Sequence, residues 1–134
     1  MRWKTWMLVL GLVAACGGDD KDADGESDEG GDVGLKTGAI CDTALTYQDV
    51  QPIFQQYCVT CHDSAKTGAA RNKAPTDHNF DTQDGVLDAT KHIDEQAGSG
   101  PLATNTAMPI EGYPAPSKEQ RETLSKWIAC QPVK

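Results

Sequence analysis

Residues 57–63 read YCVTCHD, and this stretch places Cys58, Cys61 and His62 within five consecutive positions. The whole chain of 134 residues has only five cysteines and three histidines. A Cys-x-x-Cys-His segment is compatible with three chemistries, which are a thiol redox pair, half of a zinc site, or the covalent attachment of haem. The rest of the chain discriminates between them.

Structural zinc and thioredoxin-like redox chemistry both need features that the sequence does not offer. Structural zinc takes four ligands, usually from two closely spaced pairs, whereas His78 and His92 stand fourteen residues apart. A zinc site that combines these histidines with the two cysteines of the motif is an alternative without a recognisable spacing. A thioredoxin-like pair follows a strand in a βαβ pattern, and the sequence has almost no strand pattern.

Covalent haem attachment fits the motif best. The two thiols of such a motif form thioethers with the haem vinyl groups, and the histidine that follows becomes an axial ligand of the iron. Cys58, Cys61 and His62 supply these groups in that order. We therefore expect one covalent haem c with His62 as an axial ligand.

The second axial ligand of such an iron is usually a thioether sulfur or an imidazole. Met108 is the only methionine after the first seven residues, and it lies in the segment NTAMPIEGYPAP. Pro109 disfavours a helix at Met108, and two further prolines stiffen the segment. The sequence predicts Met108 as the second ligand; core packing of Met108, or its replacement by one of the remaining histidines, is the alternative.

The N-terminal segment is typical of an exported lipoprotein. Residues 1–15 have a basic head and the apolar run WMLVLGLVAA, which is too short to span a bilayer and predicts a signal peptide. Cys16 follows in a pattern that resembles the bacterial lipobox and implies its acylation; an ordinary cleavage site beside a chance cysteine is the alternative. Several lipid chains anchor a protein stably. We expect a periplasm-facing protein of the bacterial cell envelope, on the inner or outer membrane.

Residues 16–40 predict a disordered acidic tether behind the lipidated cysteine. Residues 17–40 contain seven glycines, eight acidic residues and two lysines, which give a net charge of −6. Few of these side chains can enter a core. No basic patch stands out in the chain, which excludes nucleic acid as an expected partner. We place the folded domain at residues 41–134.

Three segments of this domain have helical patterns and predict the all-α class. Residues 45–58 have an apolar face that Thr46 can cap, with Asp49 three residues later. Pro52 predicts that the regular helix begins near that residue, after a short turn. Residues 81–98 predict a weaker middle helix. Its face toward the core is a stripe of Val86, Ala89, Thr90, Ile93 and Ala97. Residues 117–131 begin with a capping box and carry an apolar face. The haem would supply much of the core between these helices.

Cys41 and Cys130 remain after the lipobox and the motif have been assigned. The periplasm is oxidising, and the ends of a domain often lie close together. We expect a disulfide between these two cysteines, and two free thiols are the alternative.

Residues 41–134 resemble a class I monohaem cytochrome c over nearly the whole domain. The similarity is carried by the helix before CVTCH, by the dipeptide MP in a loop, and by PSKEQRETLSKWIAC at the C-terminal end. The family implies a small helical domain wrapped round the haem, with crossed terminal helices. Phe54 would then pack against Leu124 or Trp127, and the close chain ends support the disulfide.

The resemblance also implies a proline carbonyl that orients the ligand histidine, and Pro75 is the candidate. Arg71 and Lys73 are candidates to neutralise a haem propionate, with solvated side chains as the alternative.

An iron with both axial positions filled leaves no place for a substrate, so this interpretation indicates an electron carrier and not an enzyme. We expect a monomer that makes transient contacts with redox partner proteins. A haem-based sensor or small-ligand-binding module is the first alternative, if Met108 is easily displaced. The others are an auxiliary haem subunit of an oxidoreductase complex, and a thiol-redox lipoprotein that holds no haem.

Overall fold

The computed structural model describes residues 34–134, which form helices joined by long loops. The only β pairing in this part is an isolated bridge between Ser99 and Thr104. The described residues are therefore helical without strands, in agreement with the predicted class. The elements, in chain order, are α1 (Tyr47–Tyr57), a 3₁₀ turn (Gly68–Arg71), α2 (Gln83–Leu87), α3 (Thr90–Ala97) and α4 (Lys118–Ile128).

None of the helices in residues 34–134 has the length and apolar character needed to cross a bilayer. The predicted signal peptide and the predicted lipidation of Cys16 lie outside the described residues.

α1 begins after Thr46, the residue that the sequence offers as its cap, and continues through Pro52. The Asp49 carboxylate accepts hydrogen bonds from the backbone N–H and the hydroxyl of Thr46, both at 2.7 Å, and this fixes the first turn. Pro52 removes one helical hydrogen-bond donor, but the burial of Val50 and Phe54 on either side of it offsets that loss. The prediction that the helix begins near Pro52 is therefore wrong.

The predicted middle helix is two shorter helices. The Thr82 hydroxyl accepts a hydrogen bond from the Gly85 N–H at 3.2 Å and caps α2. Ala89 has φ −129° and ψ 22°, outside the helical region, so the chain turns before α3 begins. The apolar stripe predicted from the sequence is buried across both helices: Val86, Ala89, Thr90, Ile93 and Ala97.

α4 forms as the sequence predicts and closes the core. The Ser117 hydroxyl accepts from the Gln120 N–H at 3.2 Å, and the Gln120 side-chain oxygen accepts from the Ser117 N–H at 2.8 Å. These two bonds are the predicted capping box. α4 contacts both α1 and α3, and Phe54, Leu124 and Trp127 belong to one core cluster.

The folded part begins before the predicted boundary at residue 41. Leu35 and Ala39 are buried in the same core. Thr37 donates to the buried Asp94 carboxylate through its N–H at 3.1 Å and its hydroxyl at 2.6 Å, and the Ser125 hydroxyl donates to it at 2.9 Å. These donors compensate the burial of the carboxylate. The prediction of a tether that extends to residue 40 is therefore wrong for this segment.

A disulfide joins Cys41 to Cys130, which is the pairing that the sequence predicts. It connects the segment before α1 to the chain just after α4. The Asp42 N–H also donates to the Lys126 carbonyl at 3.3 Å. The two ends of the domain are therefore held together.

Candidate functional site

One cavity of about 400 Å³ is lined by all four predicted haem-binding residues. Cys58, Cys61, His62 and Met108 each form part of its wall. A cavity with mostly apolar walls and a few convergent polar groups is the usual form of a cofactor site. Apolar side chains that complete the wall include Ile53, Phe80, Ile93, Pro109, Ile110 and Leu124.

The two motif cysteines lie in the turn that follows α1. The Cys58 N–H donates to the Phe54 carbonyl at 2.9 Å, and the His62 N–H donates to the Cys58 carbonyl at 3.0 Å. Both thiols are free and half-buried. Burial raises the pKa of Cys58 to about 12. Reactive redox cysteines have a lowered pKa, so the environment of Cys58 does not favour the thiol-redox alternative.

The His62 imidazole is fixed on two sides. Its Nδ1 lies 3.2 Å from the His78 carbonyl oxygen, and its ring stacks on Phe80 with 4.6 Å between the centroids. An imidazole that donates from Nδ1 keeps the Nε2 lone pair for a metal. Burial lowers the pKa of His62, which favours this neutral form.

The carbonyl that faces the His62 ring belongs to His78, so the prediction of Pro75 for this role is wrong. The Pro75 carbonyl accepts instead from the Arg71 guanidinium. The reason is the path of the loop, because the Phe80 N–H donates to the His62 carbonyl at 2.7 Å. That bond brings the chain just before Phe80 against the imidazole.

Arg71 is buried, with 3% of its surface exposed, so the prediction of a solvated side chain is wrong for this residue. All five of its N–H groups find acceptors within its own loop, which leaves none for a propionate. Lys73 is exposed and lines the cavity, and it stays a candidate for that role. The acceptors of Arg71 are the carbonyls of Asp63, Ala74, Pro75 and His78 and the side-chain oxygen of Asn79.

Hydrogen bonds to both backbone groups of Met108 hold its loop in place. The Met108 N–H donates to the Gln96 carbonyl on α3 at 2.9 Å, and its carbonyl accepts from Arg121 Nη1 at 2.9 Å. Arg121 lies on α4, is 3% exposed, and also donates to the carbonyls of Ala97, Asn105 and Pro116.

Sequence reasoning missed this role of Arg121. Its one signal in the sequence is the position of an arginine three residues before Leu124, on the apolar face of α4.

Of the two remaining histidines, His78 lies next to His62, and His92 lies next to His78. His78 and His92 have ring centroids 4.6 Å apart, and those of His62 and His78 are 6.2 Å apart. His92 lines the cavity. Within residues 34–134, no three His, Cys, Asp or Glu side chains are arranged to hold a metal ion, and the four residues of the zinc alternative are not brought together as ligands.

Comparison of the chain with protein-family models, with curated proteins and with solved structures gave no match. The interpretation of the site rests on its own donor groups. Two thiols, an imidazole with its Nδ1 engaged, and a thioether line one apolar cavity. This donor set fits haem c, to which Cys58 and Cys61 would be attached and whose iron His62 and Met108 would bind.

Proposed function

We propose that this protein binds one covalent haem c, around which the helical domain wraps, and that it carries single electrons as a c-type cytochrome. The observation that supports this proposal is that Cys58, Cys61, His62 and Met108 line one mainly apolar cavity. When bound, haem supplies an iron that alternates between the ferrous and ferric states, and His/Met ligation favours the ferrous state.

The residues around the cavity suit a ligand set that does not rearrange. The His62 ring is oriented by the His78 carbonyl, and both backbone groups of Met108 are hydrogen-bonded. Ligands held in this way keep their positions when the charge of the site changes by one. They also leave no coordination position for a substrate, so we propose an electron carrier and not an enzyme.

The proposal extends to the partner and the location of the protein. Ile110 and Tyr113 border the cavity and are each 40% exposed, which suits a small, transient contact with a redox partner. Acylated Cys16 would hold the monomer on the periplasmic face of the inner or outer membrane.

The test is a visible spectrum of the protein produced with a c-type maturation system, after denaturing extraction of loose haem. We expect haem to stay with the polypeptide, and we expect the weak far-red sulfur-to-iron band in the oxidised form. The double variant Cys58→Ser/Cys61→Ser should lose the haem on extraction. Its matched control is Cys41→Ser/Cys130→Ser, which removes the other cysteine pair of the domain and should keep the haem.

Wild-type protein without covalent haem would refute the proposal and turn attention to thiol or metal chemistry. Covalent haem without the far-red band would support the haem part of the proposal and reject Met108 as a ligand. That outcome would favour His92, which lines the same cavity, or an open position and therefore small-ligand sensing.

A further inference from the structure

We infer that Arg71 raises the reduction potential of the haem by sharing the His78 carbonyl oxygen with the ligand imidazole of His62. The inference rests on the proposed function, because it takes His62 as an axial ligand. Arg71 does not line the cavity in the described structure. It is therefore a positioning residue that acts through His78 and not by contact with the haem.

The geometry places two donors on one oxygen. The His78 carbonyl oxygen lies 3.2 Å from His62 Nδ1 and 3.0 Å from Arg71 Nη2. A carbonyl oxygen has two lone pairs and can accept both bonds at once. The charged donor draws electron density from this oxygen, which makes the oxygen a weaker acceptor for the imidazole.

The positive charge of Arg71 has no carboxylate within ion-pair distance among the described residues, and the Asp81 carboxylate interacts with it only at longer range. Arg71 as a whole is 3% exposed, so water screens its charge little. Its acceptors are carbonyl and amide oxygens. The ion pairs within residues 34–134 join Lys36 to Glu95, Lys118 to Glu122 and Lys134 to Asp88, and none involves Arg71.

The sign of the effect follows from both consequences of this charge. A weaker Nδ1 hydrogen bond gives the imidazole less anionic character, so the imidazole donates less electron density to the iron. A buried positive charge also disfavours the more positive, ferric state. Both effects stabilise the ferrous state and raise the reduction potential.

The first test compares haem-loaded wild type with Arg71→Gln, which removes the charge and keeps a hydrogen-bonding side chain. We expect the variant to have a lower reduction potential. We also expect the His62 Nδ1 proton of the reduced protein to move to a higher NMR chemical shift, because its hydrogen bond becomes stronger. Arg71→Lys keeps the charge and should retain most of the wild-type potential.

Asn79→Asp is a second variant that does not depend on the removal of Arg71. The Asn79 side-chain oxygen lies 3.0 Å from Arg71 Nη1, so a carboxylate at this position neutralises the guanidinium and keeps every bond that Arg71 makes. The variant loses one other loop bond, which the Asn79 amide nitrogen donates to the Thr76 carbonyl at 3.1 Å. Its potential and its Nδ1 proton should move in the same directions as in Arg71→Gln.

Lys66→Gln is the matched control for the loss of one nearby cation. The Lys66 ammonium donates to the carbonyls of Val59 at 2.8 Å and Thr60 at 2.7 Å, inside the motif, and not to His78. This variant should leave the chemical shift of the His62 Nδ1 proton unchanged.

Two results would overturn the inference. One is that Arg71→Gln and Asn79→Asp both keep the wild-type reduction potential and the wild-type chemical shift of the His62 Nδ1 proton. The other is that the His62 Nδ1 proton of Arg71→Gln moves to a lower chemical shift and exchanges faster with solvent. That result would show that the Arg71 guanidinium only holds the loop in place. Wild-type protein without covalent haem is a different failure, since it refutes the proposed function before any variant is measured.

Discussion

The two sides of the cavity are each held by a buried arginine, but the two arginines reach over different distances along the chain. On the His62 side, Arg71 binds acceptors three to eight residues away. On the Met108 side, Arg121 binds carbonyls five to twenty-four residues away. The His62 side is therefore a locally closed loop, whereas the Met108 side depends on the packing of α4 against the rest of the domain.

The different reach of the two arginines indicates which side of the cavity should open first. Short loops cost less entropy to close than long ones, and proteins open locally where few tertiary contacts resist. We expect Met108 to leave the site before His62 when the contacts between α4 and the Met108 loop are weakened.

The ligand residues themselves should give the largest contrast. His62→Ala removes the side chain beside the attachment cysteines, and we expect most of the covalent haem to be lost from the protein that accumulates. Met108→Ala should keep the haem and lose only the far-red band. The measurement is the haem-to-protein ratio after denaturing extraction, and equal haem loss in both variants would contradict the proposed difference between the sides.

Loss of the disulfide should weaken the whole domain without favouring one side. The Cys41–Cys130 bond spans 89 residues, and its removal by Cys41→Ala/Cys130→Ala should lower the free energy of unfolding by about 4 kcal/mol. Urea unfolding followed by far-ultraviolet circular dichroism checks the loss. The folded double variant should show the wild-type far-red band, and a band missing before any urea is added would show that the bond acts on Met108 directly.

Arg121→Met should weaken the Met108 side selectively. It leaves carbonyls of the Met108 loop without their donor, and we expect a loss of about 3 kcal/mol in the free energy of unfolding. In a urea titration of this variant, the far-red band should disappear before the helical signal does. Lys126→Met is the matched control, because Lys126 is an exposed cation on the same helix, and its effect should stay within about 0.5 kcal/mol.

The smallest effect concerns the His62-side loop at low pH. The Asp81 carboxylate accepts hydrogen bonds from the Ser64 hydroxyl and N–H, which lowers the pKa of Asp81 below its ordinary value of 3.8. A lowered folded-state pKa gives stability that is present above pH 3.8 and is lost as the pH falls through the folded value.

Ser64→Ala should therefore cost less than about 1 kcal/mol at neutral pH, and its difference from wild type should shrink when the pH falls well below 3.8. Urea unfolding at both pH values checks this, and a difference that does not change with pH would show that Asp81 is not its cause. The far-red band of Ser64→Ala should be that of wild type, since Ser64 lies on the opposite loop from Met108.

The features that could be predicted from the sequence are those with a local cause. The capping box at Ser117 depends on side chains three residues apart, and the stripe from Val86 to Ala97 depends on helical spacing. The Cys58–His62 motif and Met108 were predicted as site residues, and the structure places them on one cavity. The covalent haem itself stays a prediction.

The features that were missed depend on contacts between residues far apart in the chain, or on backbone groups that every residue carries. Pro52 disfavours a helix, but the burial of Val50 and Phe54 beside it stabilises α1. Leu35 and Thr37 look like tether residues until Asp94, 57 residues beyond Thr37, gives them a partner. The His78 carbonyl, and not that of Pro75, faces His62 because of the path of the loop. Every residue has a carbonyl oxygen, so the sequence cannot indicate which one makes this contact.

The preference of both arginines for backbone oxygens has a consequence for sequence divergence. Nearly every acceptor of Arg71 and every acceptor of Arg121 is a carbonyl, a group that each residue carries whatever its side chain. Substitutions along both loops can therefore accumulate while the loop geometry is kept, provided that the two arginines and the loop lengths stay. We expect a distant homologue of this chain to share the two arginines and the lengths of the two loops more than the amino-acid sequences of those loops.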